Sequence, residues 1–248
     1  MHTKQESAIA DELRVRLREA GSVFVLTGAG VSAESGVPTF RGGGSAAVWK
    51  GMPFEVLSSA KTVGSNLPLV WEWFDYRRGA LESCRPNPAH ETLARWQRRF
   101  RRFTLATQNV DGLHAEAGSL DVLELHGNVW RARCLACGGR EDLRGEREAV
   151  RPPVCRACGG LMRPDVVLFG EMLPEDVWAS AAERAAAADV CFVVGTSAIV
   201  YPAAGLPVAA KRGGAFLVEV NPEETQLSEI CDVMLRGAAG EILPRLDF

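Results

Sequence analysis

Apolar and polar positions along the chain fall into short unbroken apolar runs, each closed by glycine or a small polar residue, separated by stretches with helical spacing. Val23-Phe24-Val25-Leu26 is continuous rather than alternating, the pattern of a strand buried on both faces in a parallel sheet. Phe103 to Thr107, Val122 to Leu125, Val190 to Val194 and Ala215 to Val220 read the same way. Between them, Ile9, Leu13 and Leu17 recur at helical spacing up to Gly21, read as a C-terminal cap. Asn87-Pro88 predicts a capped helix to about Arg102, and the Ala-rich stretch from Pro174 to Ala188 predicts another. Repeated strand, polar turn and helix predict an α/β fold built on a doubly wound parallel sheet.

Two stretches interrupt this rhythm. After Arg41 a glycine loop, Gly42 to Ser45, precedes an aromatic-rich segment with Trp49, Phe54, Trp71, Trp73 and Phe74. It reads as a short helical insertion whose entry loop is a candidate lid or an idle surface loop. Farther on, Cys134-x2-Cys137 and Cys155-x2-Cys158 are separated by seventeen residues. Two such knuckles can present four thiolates to one tetrahedral Zn2+, a closed site that holds structure and activates no water. From Arg163 to Glu171 the chain is expected to return to the main domain as an extended edge segment able to pair with a peptide.

Composition narrows the partners. A chain of 248 residues can hold one large core with a small satellite. A hydrophobic fraction of 47% and a net charge of −3 argue against disorder, a nucleic-acid groove or a polybasic membrane patch. Apolar runs fall far short of the ~20 residues that span a bilayer, and the start of the chain lacks signal-peptide character, so a cytoplasmic location is expected. Seven cysteines, four of them in knuckles, suit metal thiolates better than disulfides. Cys84, Cys191 and Cys231 read as small buried hydrophobes.

Candidate chemistry lies at the strand ends. Gly28-Ala29-Gly30 follows the first strand, with Ser32 opening a helix and Ala33 in place of the third glycine of Gly-x-Gly-x-x-Gly. Such a turn lets backbone N–H groups approach a pyrophosphate, although by itself it is an ordinary tight turn as often. Gln108-Asn109-Val110-Asp111 and His126 follow two further strands, and Gly195-Thr196-Ser197 and Asn221 two more. Open α/β sheets bind ligands at this edge.

Taken in order, these segments resemble the sirtuin family of NAD-dependent protein lysine deacylases over nearly the whole chain. Carrying the resemblance are Gly28 to Ser32, Gly36 to Arg41, Pro86 to His90, Gln108 to Asp111, His126-Gly127, the four cysteines, Phe169-Gly170-Glu171, Gly195 to Ser197 and Val220-Asn221. It implies a Rossmann-like NAD-binding domain (1–41, 79–126 and 164–248) and a smaller domain made of a helical module (42–78) and a zinc ribbon (127–163). By the same resemblance His126 is the general base acting on a ribose hydroxyl after nicotinamide release, Asn109 orients the ribose and a water, and Asp111 holds the nicotinamide amide. Gly28, Ala29, Gly30, Ser32, Phe40, Arg41, Gln108, Gly195, Thr196, Ser197, Asn221 and Ala239 fall where the family meets NAD. Val167, Phe169, Gly170 and Glu171, with residues around 198–202, would hold the acyl-lysine peptide of a protein substrate. The expected cofactors are NAD and one structural Zn2+, and a monomer is favoured.

Thr39 resembles the desuccinylase and demalonylase subclass, whose helical module carries Tyr-x-x-Arg. Here the matching stretch is Phe74 to Arg77: Arg77 is present to take a carboxylate, while Phe74 lacks the hydroxyl and favours apolar chains. The alternatives are mono-ADP-ribosyl transfer from the same NAD site and a zinc-ribbon module that senses NAD without turnover.

Overall fold

The computed structural model describes residues 12–38, 48–145 and 152–246. Thr39, Phe40, Arg41 and the glycine loop up to Ser45 lie outside the described residues, as does the first part of the N-terminal helix.

Helix α1 (12–19) buries Leu13 and Leu17 and leads into β1 (Ser22–Thr27). Gly21 is not left-handed, contrary to the expected cap; the helix end is closed by Ala20 N–H on the Arg16 carbonyl, 2.9 Å. A 3-10 turn over Ala29–Ser35 replaces the expected α-helix after β1. The first interruption holds a hairpin of β2 (Val48–Trp49) and β3 (Met52–Pro53), then α2 (Phe54–Leu57), α3 (Ala60–Ser65) and α4 (Leu67–Leu81). Asn66 caps α4 through Leu69 N–H, with Pro68 in its first turn.

The main domain resumes with α5 (Pro88–Arg99), β4 (Arg102–Thr107), α6 (Leu113–Glu116) and the two-residue β5 (Leu123–Glu124). Asn87 forms a capping box with His90, accepting from Ala89 N–H at 2.9 Å. The ribbon follows as β6 (Gly127–Cys134), β7 (Arg140–Asp142) and β8 (Met162–Val166), an antiparallel sheet ordered β7-β6-β8. Only the second half of the expected extended segment leaves this sheet, because Arg163 and Val166 are in ladder register with Arg133 and Gly127. The chain finishes with α7 (Glu175–Ala186), β9 (Val190–Val194), α8 (Gly205–Arg212), β10 (Phe216–Val220), β11 (Val233–Leu235) and α9 (Ala239–Ile242).

Six strands form the large sheet in the order β11-β10-β9-β1-β4-β5, parallel throughout. Counted along the chain within this sheet, the order is that of the dinucleotide fold, and winding reverses between β1 and β9. Burial on both faces explains the unbroken apolar runs. Val23 and Val25 pack under α1, α5 and the C-terminal turns, while Phe24 and Leu26 face α7 and α8. A separate core joins the two interruptions: Leu57, Trp71 and Phe74 pack with Val129, Met162 and Leu168. Trp71 also donates its indole N–H to the Met162 carbonyl at 2.8 Å, fastening α4 to β8. Among the described residues no helix is long and apolar enough to cross a membrane.

Candidate active site

The turn after β1 and the turn after β9 meet at the winding reversal. Gly28 N–H donates to the Val194 carbonyl at 3.0 Å and Gly30 N–H to the Gly195 carbonyl at 2.7 Å. A Cβ on Gly28 would lie 2.6 Å from Thr196 Cβ, and one on Gly30 would lie 2.7 Å from the Gly195 carbonyl oxygen. Gly195 itself is left-handed at φ 59°. These glycines are therefore required by the meeting of two backbones, whether or not a phosphate is bound. Thr196 Oγ1 accepts from Gln108 Nε2 at 2.9 Å, and the Thr196 carbonyl accepts from Asn221 Nδ2 at 2.9 Å. Half-buried Ala29 and Ser197 lie on these turns, and buried Ala239 begins α9, where Gly240 N–H donates to Glu34 at 2.7 Å. Turns following β1, β4, β9 and β10 thus share one edge of the sheet.

Ser32 is fully buried and all its hydrogen-bonding capacity is spent inside the protein. Its hydroxyl donates to Asp111 Oδ2 at 2.8 Å and accepts from Asn109 Nδ2 at 3.0 Å. His90 Nε2, 3.3 Å away, must donate as well, since His90 Nδ1 accepts from Asn87 N–H. Burial pushes His90 down to about 4, so this imidazole is neutral. Asp111 is raised by burial, opposed by Leu113 N–H, the Ser32 hydroxyl and the charge of Arg77. His114 packs against His90 with ring centroids 4.7 Å apart and planes tilted by 55°, and meets Thr27 Oγ1 at 2.9 Å. His90 and Thr27 escape a reading of strand-end polar residues because they lie within elements, whereas His114 closes the polar run that begins at Gln108 after β4.

His126 follows β5 and is half-buried. Its Nδ1 lies 2.9 Å from the Gln108 carbonyl, an acceptor only, so Nδ1 carries the proton and Nε2 presents a lone pair. Burial lowers its pKa, against the raising effect of that carbonyl. Gly127 next to it is left-handed, and a Cβ there would overlap the Asp165 carbonyl. His126 and Asn109 are thereby brought to the same loop cluster.

The other expected site residues lie around this cluster. Phe74 is fully buried in the core between α4 and the ribbon. Arg77 is half-buried, its guanidinium 6.0 Å from the Phe74 ring centroid and 5.8 Å from that of Trp73. Burial lowers its pKa to about 10, with Asp111 pulling the other way. Val167 N–H donates to the His126 carbonyl at 2.9 Å, and Phe169 bridges in parallel to Ser59. Left-handed Gly170 turns the chain, and Glu171 pairs with Arg163 while accepting from Leu168 N–H. Phe169, Met172, Ile199, Val200 and Tyr201 are all exposed.

The sulfur atoms of Cys134, Cys137, Cys155 and Cys158 all lie within 4.8 Å of one another. Cys134 and Cys158 sulfurs are 3.5 Å apart and those of Cys137 and Cys155 3.7 Å, close to the ~3.8 Å edge of a tetrahedron with ~2.3 Å zinc–sulfur bonds. Ala136 and Cys137 N–H groups point at Cys134 Sγ, at 3.3 and 3.5 Å, and lower its pKa toward the thiolate. The four thiols fit a structural Zn2+.

Parallel order, a glycine-lined winding reversal and a four-cysteine ribbon define a dinucleotide-type α/β protein with a metal-ribbon satellite. The Sir2 family model matches residues 28–202, and the chain belongs to that family. It is 50% identical over 222 residues to NAD-dependent protein deacylase 2 of Pyrobaculum aerophilum, covering 90% of this chain and 88% of that one. Among solved structures, a Sir2 homologue–NAD complex superposes with a TM-score of 0.88 at 42% identity, covering 95% of this chain and 91% of the other. A Sir2 homologue mutant bound to 2′-O-acetyl ADP ribose superposes with a TM-score of 0.86 at 42% identity, covering 95% and 94%.

Proposed function

We propose that the protein is an NAD-dependent protein lysine deacylase that moves the acyl group from lysine to ADP-ribose and releases nicotinamide. The observation that carries this reading is the His126 imidazole, held with its free Nε2 in the loop cluster of the glycine turns. Support comes from the deacylase name of the Pyrobaculum relative and from the NAD and 2′-O-acetyl ADP ribose complexes of the structural neighbours.

Gly28, Ala29, Gly30, Gln108, Gly195, Thr196, Ser197, Asn221 and Ala239 line the sheet edge that would hold NAD, and Phe40 and Arg41 join them by family resemblance. When bound, NAD supplies an electrophilic sugar carbon and a nicotinamide leaving group. His126 Nε2 takes up a ribose hydroxyl proton, a task suited to an imidazole that is neutral near pH 7. Asn109 orients the sugar edge, and Ser32 fixes Asn109 and Asp111 from behind. Asp111 faces the nicotinamide amide. The protein acts as a monomer on acylated lysines, threaded between the exposed apolar side chains of 169–172 and 199–201. Its free thiols suit the reducing cytoplasm.

Among acyl groups we infer a preference for acetyl and other uncharged chains over succinyl. Phe74 cannot offer a hydroxyl, and Arg77 already shares its charge with Asp111. Incubation with NAD and acetyl-, butyryl- or succinyl-lysine peptides tests both statements. Nicotinamide and free lysine should form in equal amounts, fastest from the uncharged chains. Absence of nicotinamide release from every peptide contradicts the assignment.

A further inference from the structure

The ribbon does more than carry cysteines: its first strand starts at Gly127, directly after His126, and contacts the loop that carries Asp111. Val129 N–H donates to the Val110 carbonyl at 2.9 Å, and the indole N–H of Trp130 donates to the Asp111 carbonyl at 2.7 Å. Trp130 is itself held, its own N–H on Asn128 Oδ1 at 2.9 Å and its carbonyl accepting from Leu143 N–H at 2.7 Å. Immediately after Asp111 the chain turns through left-handed Gly112, where a Cβ would lie 3.1 Å from Trp130 Cδ1 and 2.9 Å from an Arg144 guanidinium nitrogen. The Val110 to Gly112 backbone therefore lies directly against the ribbon.

We propose that Trp130 is a positioning residue for the reaction, setting Asp111, and through it Ser32 and Asn109, by one hydrogen bond from the ribbon to the loop. This rests on the deacylase reading for its functional consequence. Phenylalanine at this position keeps an aromatic ring, though a smaller one, and has no N–H to give. The Asp111 carbonyl belongs to a buried residue, so losing its donor frees the turn to shift or leaves the carbonyl unsatisfied. Any displacement reaches the Ser32 hydroxyl, because Asp111 Oδ2 is the acceptor of its only proton. The effect falls on the NAD side of the site. The peptide side, built from residues near 167–172 and 199–201, has no hydrogen bond to Trp130 among the described residues.

Trp130→Phe and, as an isostere of constant shape, Trp130→benzothienylalanine test this. Calorimetric NAD affinity, the nicotinamide inhibition constant, the acetyl-peptide KM, zinc content and thermal midpoint are compared with the unaltered protein. The expected result is NAD and nicotinamide binding weakened roughly five- to tenfold, the equivalent of one neutral hydrogen bond, with peptide KM and zinc content unchanged and the midpoint of the isostere lowered by no more than a few degrees. Unchanged NAD affinity in the isostere overturns the proposal. So does an equal loss on the NAD and peptide sides accompanied by a larger fall in midpoint, which would make Trp130 structural only. If the unaltered protein binds NAD but releases no nicotinamide, the deacylase reading falls, while the calorimetric comparison still decides the role of Trp130.

Discussion

His126 Nδ1 stands 2.9 Å from the backbone carbonyl of Gln108, the residue before Asn109, and this contact sets which imidazole nitrogen is available as a base. Burial keeps that imidazole neutral to lower pH than usual. The active form is the neutral one, so kcat/KM should be flat near pH 7 and fall as pH drops through the depressed pKa. The acid limb of a pH–rate profile is expected below 6.5. A limb centred above that value would show that the base is a different group or that His126 is stabilised as a cation.

His90 makes a related prediction for stability. Its folded pKa of about 4 lies below the ordinary 6.5, so between those values the unfolded chain binds a proton that the native protein refuses. Stability is fully present above 6.5 and declines as pH falls toward 4, with a slope from this group of up to about 1.4 kcal/mol per pH unit. Denaturant titrations across this window should show the decline, and His90→Gln should reduce the slope by one proton. An unaltered slope would mean that His90 protonates in the native state.

Gly195 carries the packing of the two glycine turns. Gly195→Ala combines a left-handed backbone with a Cβ driven into the backbone of Gly30 and Val31. A loss of at least about 1–3 kcal/mol is expected in urea denaturation, together with weakened NAD binding. Native stability in that variant would contradict the close approach of these turns.

Most of this edge was legible in the sequence because continuous apolar runs mark parallel strands, and the polar residues after them are confined to one end of the sheet. Val190 to Val194 and Asn87-Pro88 appear as expected for this reason. The cysteine spacing likewise carries its own geometry, since two knuckles bring four sulfurs together whatever lies between. What periodicity could not show was set by contacts between distant segments. The 3-10 turn at Ala29–Ser35, the division of the Arg163 to Glu171 segment at Val166, and the enclosure of Ser32 by Asn109, Asp111 and His90 all depend on partners far away in the chain. Trp130 carries no sequence signal of its own, because nothing local indicates that its N–H reaches Asp111.

Arg77 provides a test of acyl choice. Removing its charge in Arg77→Met should lower succinyl-lysine turnover tenfold or more, the equivalent of a charge-assisted bond of about 1.5–3 kcal/mol. Acetyl-lysine turnover should change less, through the loss of a positive neighbour for Asp111. Competition assays with paired peptides read the ratio directly. Equal loss on both peptides would assign Arg77 to the support of Asp111 alone.

The most direct test of the central claim is product analysis by mass spectrometry for the unaltered protein and His126→Ala, each given NAD and an acetyl-lysine peptide. The unaltered protein should yield free lysine, nicotinamide and acetyl-ADP-ribose in equal amounts, and the variant at least a hundredfold less acetyl-ADP-ribose while keeping its fold and zinc. Undiminished acetyl-ADP-ribose from His126→Ala would contradict the account.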